Sequence, residues 1–335
     1  MQTLNIFPPF AENLDDKFLH FNEIFIIGDL HDHEKLFRTL LDERGIAFVP
    51  NTDVDDFRKL ENYFVKSDIL LVFLGDVLYK TPDHFKSIMR FILNNTENCI
   101  LILGNNEVKF ILERIKLFTD FAKPFMSQKF LRLLESFIRK KESFKLLNSI
   151  YSIISKLRCP YKHNWLKCEW NWFYSCLYKD FLTDKKNNED LMFVMYILTK
   201  SVVMGVSNRY KLLLCHAGFN PTRSLHRQRI FDVCNIRRVK QTKQPWYVYY
   251  SNIAYTIVFG HWSALTKETN KPYVYKNAIC LDTECWRSQN VSYICIRSML
   301  SDLSNLENLV IKTQYSSSKL YTFHEVLLQS ELVTM

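Results

Sequence analysis

Five short apolar runs in this chain each stop on a residue able to bind a metal ion. "EIFIIGD" ends at Asp29, with His31 two residues further on. "DILLVFLGD" ends at Asp76, "CILILGN" at Asn105, "KLLLCH" at His216 and "YTIVFGH" at His261. Runs this brief, and this rich in Ile, Leu, Val and Phe, have the pattern of strands buried on both faces. Such strands belong to layered α/β folds, in which ligands gather outside the carboxyl ends of the strands. An α/β architecture with one convergent site is therefore expected.

The six residues combine carboxylate, amide oxygen and imidazole, a donor set suited to Mn²⁺, Fe²⁺ or Zn²⁺. Six ligands are more than one small site needs. They match two divalent ions about 3.5–4 Å apart, bridged by a carboxylate and a hydroxide. Gly28, Gly75 and Gly104 precede three of the endings, in a chain with only 7 glycines. They are expected to let the backbone turn tightly beside the ions.

The chain's 335 residues suit a single large domain spanning 1–335. Hydrophobic residues make up 47% and exclude a disordered chain. The formal net charge is +9, and residues 110–186 alone hold 16 Lys and Arg against 7 Asp and Glu. A basic segment of this kind suits an anionic partner such as phosphorylated protein, nucleotide or nucleic acid. Nine cysteines without a C-x-x-C pair read as reduced thiols. The N-terminal stretch has no charged leader followed by a long apolar core, so no secretory signal is expected. Residues 191–206, the most apolar stretch, include Lys200 and read as a buried helix rather than a membrane span. The expected setting is intracellular, cytoplasmic or nuclear, with no membrane partner.

The blocks "GDLHD" (28–32), "GDVLYKT" (75–81), "GNNE" (104–107), "HAG" (216–218), "GH" (260–261) and "CLDTECW" (280–286) come in a telling order. Together they resemble the calcineurin-like metallophosphoesterases, in particular the phosphoprotein phosphatase branch. The second and third blocks look most like its bacterial-type members, the Shewanella-like and ApaH-like phosphatases. The resemblance implies a four-layer α/β/β/α sandwich. It also implies that Asp29 and His31 hold a first metal ion, that Asp76 bridges, and that Asn105, His216 and His261 hold a second.

The departures from the family pattern cluster. Where the family has a proton-donating His this chain has Asn106, and where it has the Asp that orients that His this chain has Tyr79. The phosphate-clamping Arg is replaced by Lys80, which keeps the charge and loses the two-pronged fork. The next glycine is Thr81. The glycine closing the first block is Asp32, expected to add negative charge beside the metals. Asparagine does not titrate, and general acid help is typically worth about 10²–10⁴-fold. Its loss matters most for a poor leaving group such as the alkoxide of serine, and least for a phosphoanhydride. His33, His84 and Tyr79 stand near enough in sequence to act as substitute acids. The family's second phosphate-binding Arg falls between the last two histidine blocks, where Arg223, Arg237 and Arg238 are all available.

Residues 108–208 read as a helical, basic and aromatic insertion within the domain. Residues 130–157 show three- and four-residue apolar spacing, and three of the six tryptophans lie in 161–181. Residues 183–190 read as a polar loop. The tail after about residue 300 ends in two further strands or a helix.

The resemblance thus implies a dinuclear phosphoesterase, similar to the Ser/Thr protein phosphatases. It would cleave a phosphomonoester or phosphoanhydride, in a phosphoprotein or a nucleotide polyphosphate, by metal-bridged hydroxide. Residues Asp76, Tyr79, Lys80 and Asn106 would occupy the catalytic positions. The alternative is a pseudophosphatase, a metal-stabilised module that binds phosphorylated or anionic partners.

Overall fold

The computed structural model describes residues 10–50, 59–78, 86–122, 185–250, 253–297, 309–316 and 320–328. Tyr79, Lys80, Thr81, His84 and most of the basic aromatic insertion lie outside these residues. The chain divides into two compact units. One comprises residues 1–107, 202–228 and 232–335, and the other residues 108–201 with 229–231.

The first unit holds two mixed six-stranded sheets. In order across one sheet run β1 (Ala11–Asn13), β7 (Met204–Ser207), β8 (Leu212–Cys215), β9 (Thr256–Phe259), β11 (Ala278–Cys280) and β10 (Tyr273–Tyr275). Across the other run β13 (Leu309–Tyr315), β14 (Thr322–Leu328), β12 (Asn290–Arg297), β2 (Glu23–Ile27), β5 (Ile69–Phe73) and β6 (Cys99–Leu101). A small antiparallel pair, β3 (Ala47–Phe48) and β4 (Phe64–Val65), stands apart, and a short helix α1 (Asp15–Phe18) follows β1.

Alternation along the strands builds the core. Ile24 and Ile26 of β2, Leu70 and Val72 of β5, and Ile294 and Ile296 of β12 cluster with Leu212 and Leu214 of β8, Val258 of β9 and Ile279 of β11. Residues two apart point to one face, so the two sheets pack face to face through these side chains. The other face of β2 and β5 is equally apolar. Against it lie helices α2 (Glu34–Glu43) and α3 (Ser87–Asn94), with the Phe37 ring 5.6 Å from Phe73 and 5.2 Å from Phe91. On the far side of the other sheet, Trp246 packs edge-on to Phe259 at 5.0 Å. Strands buried on both faces need continuous apolar sequence, and that is why these runs do not alternate in polarity.

Two stretches depart from the sequence expectation. Residues 191–206 are not one helix: a helix runs Lys185–Lys200 and strand β7 starts at Met204. Ser201 Oγ bonds back to the Ile197 carbonyl at the helix end, and the β-branched Val202 and Val203 lead into the strand. The same helix begins within the stretch read as a polar loop, since Lys185 to Asp190 are helical. The tail forms strands, β13 and β14, rather than a helix.

Parallel pairing sets the position of the site. In one sheet β2, β5 and β6 run parallel, and in the other β8, β9 and β11 do. Their carboxyl ends deliver, respectively, Asp29, Asp76, Asn105, His216, His261 and Asp282.

Candidate metal centre

Each loop that leaves these strands is tied to its neighbour. The His31 amide donates to the Asp76 carbonyl (2.8 Å) and the Asp32 amide to the Val77 carbonyl (2.8 Å), lacing together the loops after β2 and β5. The Gly260 amide donates to the His216 carbonyl (2.8 Å), which does the same for the loops after β8 and β9. His31, Asp76 and His261 all adopt left-handed backbone, with φ of 45°, 49° and 62°. That conformation costs a non-glycine residue free energy and persists only where the surroundings over-determine it. All three stand in the same cluster of candidate ligands.

The side chains form two overlapping groups. Asp29, His31 and Asp76 present ligand atoms within 4.8 Å of one another, and Asp76, His216 and His261 do the same. Asp76 belongs to both. Its Oδ1 lies 3.4 Å from His216 Nε2. Asn105 completes the second group through a chain of hydrogen bonds that fixes both amide orientations. Asn106 Nδ2 donates to the Leu78 carbonyl (3.0 Å), so Asn106 Oδ1 accepts from Asn105 Nδ2 (3.1 Å). Asn105 Oδ1 is then left facing His216 Nε2 at 3.0 Å. The other ring nitrogen of His216, Nδ1, donates to the Leu74 carbonyl (2.8 Å), so Nε2 carries a lone pair. Three lone-pair atoms thus converge without a proton among them, an arrangement that suits a bound cation.

Charge leads to the same fit. Asp29, Asp76, Glu107 and Asp282 are all buried. Burial, then Asp282 and Asp76, push the Asp29 carboxyl well above its ordinary range. Burial holds His216 below the usual imidazole value and, with His216 and Arg237, takes His261 down to about 2, so both rings are neutral. A neutral imidazole is the form that ligates a metal. The donor set and the crowding of buried carboxylates both fit divalent cations.

Glu107 was not among the residues singled out from sequence, yet it organises the loop that carries Asp76. Fully buried, its carboxylate accepts the amides of Asp76 (2.8 Å), Leu78 (3.0 Å) and Gly104 (3.1 Å). Burial and the Asp76 charge push it up to about 7. Its signal was the fourth letter of "GNNE". Asp282 was also missed, although "CLDTECW" contains it. Of the three candidate arginines, Arg237 is the one beside the site: its Nη2 donates to the His261 carbonyl (3.1 Å). Arg223 pairs with Asp232 at 3.7 Å, and Arg238 lies over the Trp262 ring.

Three expectations need correcting. Asp32 does not direct its charge at the ligand cluster: its Oδ1 accepts the Ile88 amide (3.1 Å) in the first turn of α3, and burial pushes it up to about 8. Of Gly28, Gly75 and Gly104, only Gly75 uses left-handed backbone (φ 94°). At Gly28 and Gly104 the need is close approach, because a Cβ would overlap the Leu281 carbonyl or the Asp76 amide. Asn105 opens helix α4 (Asn105–Ala122) rather than ending a strand, since β6 stops at Leu101.

The calcineurin-like phosphoesterase family profile matches residues 23–280, a span that includes every one of these candidate ligands. The chain belongs to the calcineurin-like phosphoesterases. It is by that membership a metal-dependent phosphohydrolase of α/β fold. Among curated proteins it is similar to a symmetrical bis(5'-nucleosyl)-tetraphosphatase of Wigglesworthia glossinidia brevipalpis, with 24% identity over 296 residues, 79% of this chain and 93% of the relative. Among solved structures, a candidate diadenosine tetraphosphatase aligns with TM-score 0.48 and 16% identity, over 85% of this chain and 93% of that one. A Saccharomyces cerevisiae serine/threonine phosphatase with similarity to human phosphatase PP5 aligns with TM-score 0.40 and 10% identity, over 82% and 71%. Among the described residues, no helix of this phosphoesterase is long and apolar enough to cross a membrane.

Proposed function

We propose that this phosphoesterase hydrolyses a phosphoanhydride bond in a nucleotide polyphosphate, using two divalent ions. Asp29, His31 and Asp76 would hold one ion, and Asp76, Asn105, His216 and His261 the other. When bound, the ions would supply Lewis-acid charge and an activated water.

The chain's own groups do the rest. The Leu74 carbonyl fixes the tautomer of His216 so that Nε2 faces the second site. The His261 amide donates to both oxygens of Asp29 (3.2 and 3.0 Å), orienting a first-site ligand from the opposite sheet. Glu107 pins the Asp76 amide and with it the shared carboxylate. Arg237, beside His261, offers a guanidinium to the phosphoryl oxygens.

The observation that carries the substrate class is Asn106. Its side chain bonds Leu78 and Asn105, and its Nδ2 lies 3.3 Å from His31 Nδ1. An amide there orients its neighbours and gives no proton to a leaving group. A leaving phosphate needs none, whereas the alkoxide of serine does. The tetraphosphatase activity in the curated relative's name supports the same class.

The test, with Mn²⁺, sets release of mononucleotides from a bis(5'-nucleosyl) tetraphosphate, resolved by chromatography, against release of inorganic phosphate from a phosphoserine peptide. Wild type should favour the anhydride by about 10²-fold or more, the scale of the missing acid, and Asp76→Asn should release nothing. Equal rates on the two substrates would overturn the reading. A protein that binds two ions and cleaves neither would instead be a binding module.

A further inference from the structure

Residues 191–267 hold eleven Lys and Arg against a single acid, Asp232. That acid is already paired with Arg223. Most of the basic stretch at 110–186 lies outside the described residues, whereas 191–267 is described except for residues 251–252. Four of its cations, Arg237, Arg238, Lys240 and Lys243, sit on one short exposed loop between Asn235 and Trp246. Among the described residues, none of the four is paired with a carboxylate.

The loop begins at the metal centre, where Arg237 bonds the His261 carbonyl at 3.1 Å. Arg238 is held at the rim, over the ring of Trp262 at 5.8 Å and bonded to the Lys243 carbonyl at 3.3 Å. The tip is a closed turn. The Val239 amide donates to the Gln244 carbonyl and the Lys243 amide to the Val239 carbonyl, both at 2.8 Å, and Lys243 takes φ of 60°. Lys240 and Lys243 are therefore presented by a preset backbone, and less ordering free energy is lost when an anion binds. Three residues span at most about 11 Å, so Lys240 stands within that reach of Arg237.

We propose that this loop is a second anion subsite that binds the phosphates of a long linear phosphate chain beyond the bond being cleaved. This rests on the phosphoanhydride reading above and extends it to substrate length. Between Lys240 and Gln244 the tip carries only Lys, Gln and Thr side chains, which supply charge and hydrogen bonds. A nucleic acid strand would also call for stacking rings, and beside the tip stands one exposed ring, Tyr249, its hydroxyl 2.8 Å from Thr242 Oγ1.

The experiment is calorimetric titration of the full chain, Mn²⁺-loaded and in EDTA, with tripolyphosphate, with inorganic polyphosphate of about 15 phosphates, and with a single-stranded oligonucleotide of equal charge. The longer polyphosphate should bind at least tenfold tighter than tripolyphosphate in both states, with an advantage that shrinks as salt is raised. Lys240→Ala/Lys243→Ala should erase the length dependence, and Lys240→Gln alone should reduce it. Lys66→Ala, which removes a charge before the opposite end of β5 from Asp76, should leave it intact. Affinity independent of length, length dependence that survives in the double variant, or an oligonucleotide bound as tightly as polyphosphate would each overturn the proposal. Binding in EDTA needs no turnover. A chain that binds long polyphosphate yet cleaves no anhydride therefore refutes the hydrolytic reading and spares this one.

Discussion

His216 Nε2 and Asn105 Oδ1 face each other 3.0 Å apart with no proton to share, because His216 Nδ1 is already committed to Leu74 and Asn105 Nδ2 to Asn106. Two lone pairs held at that distance repel, and a cation between them turns repulsion into ligation.

Metal should therefore stabilise the fold. Mn²⁺ at about a hundredfold over its dissociation constant is expected to add about 2.7 kcal/mol. In EDTA, Asn105→Ala should cost little, since it removes a repelling partner. In Mn²⁺ the same variant should lose most of the gain. Thermal unfolding of both proteins in both buffers checks this, and an Asn105→Ala protein with the full metal effect would contradict the assignment.

Glu107 offers the clearest target outside the ligand set. Replacing one carboxylate oxygen by an amide NH₂ in Glu107→Gln sets a donor against backbone donors. A hydrogen bond to a charged group is worth about 1.5–3 kcal/mol, and a loss of that order is expected by urea unfolding. Mn²⁺ affinity should fall about 10–100-fold, as for other groups that orient a ligand. Unchanged Mn²⁺ affinity would show that Asp76 is held without Glu107.

A methyl group on residue 260 would overlap the Asp29 carboxylate. Gly260→Ala should therefore displace Asp29 and weaken Mn²⁺ binding at least tenfold. The sheets, anchored by cores well away from that loop, should persist, so the far-ultraviolet circular dichroism spectrum should be that of wild type. Full Mn²⁺ affinity in this variant would refute the place given to Asp29.

His324, distant in sequence from the ligands, predicts a pH effect. Burial, with Lys271 adding, lowers it from 6.5 to about 4. Between those values the unfolded chain binds the proton and the folded chain does not, so stability falls as pH drops from 6.5 towards 4. The urea midpoint of wild type minus that of His324→Asn should shrink across this window. A difference constant with pH would rule out His324 as the source.

The candidate site was legible in sequence because buried parallel strands need unbroken apolar runs, and polar side chains at their ends interrupt those runs visibly. Asp29, Asp76, His216 and His261 could be read that way. Glu107 could not, because its work is to accept backbone amides from loops whose path the sequence does not reveal. Nor could Arg237 be chosen over its neighbour Arg238, since only the folded loop shows Arg237 bonded to the His261 carbonyl and Arg238 to the Lys243 carbonyl. Asp32 misled because charge was read from residue type, whereas burial against the first turn of α3 pushes the group towards its neutral form. The break between helix and strand near Lys200 was missed because a window of high hydrophobicity does not distinguish the two.

The bond from the His261 amide to the Asp29 carboxylate joins residues 232 positions apart. Synthesis from the N-terminus makes β2 and β5 early, but the pocket lacks its last imidazole until β9 has left the ribosome. A nascent chain has Asp29, His31 and Asp76 long before it has the complete cage. On the proposed assignment, tight capture of a cation coincides with the meeting of the two sheets, and metal retention becomes a readout of that meeting.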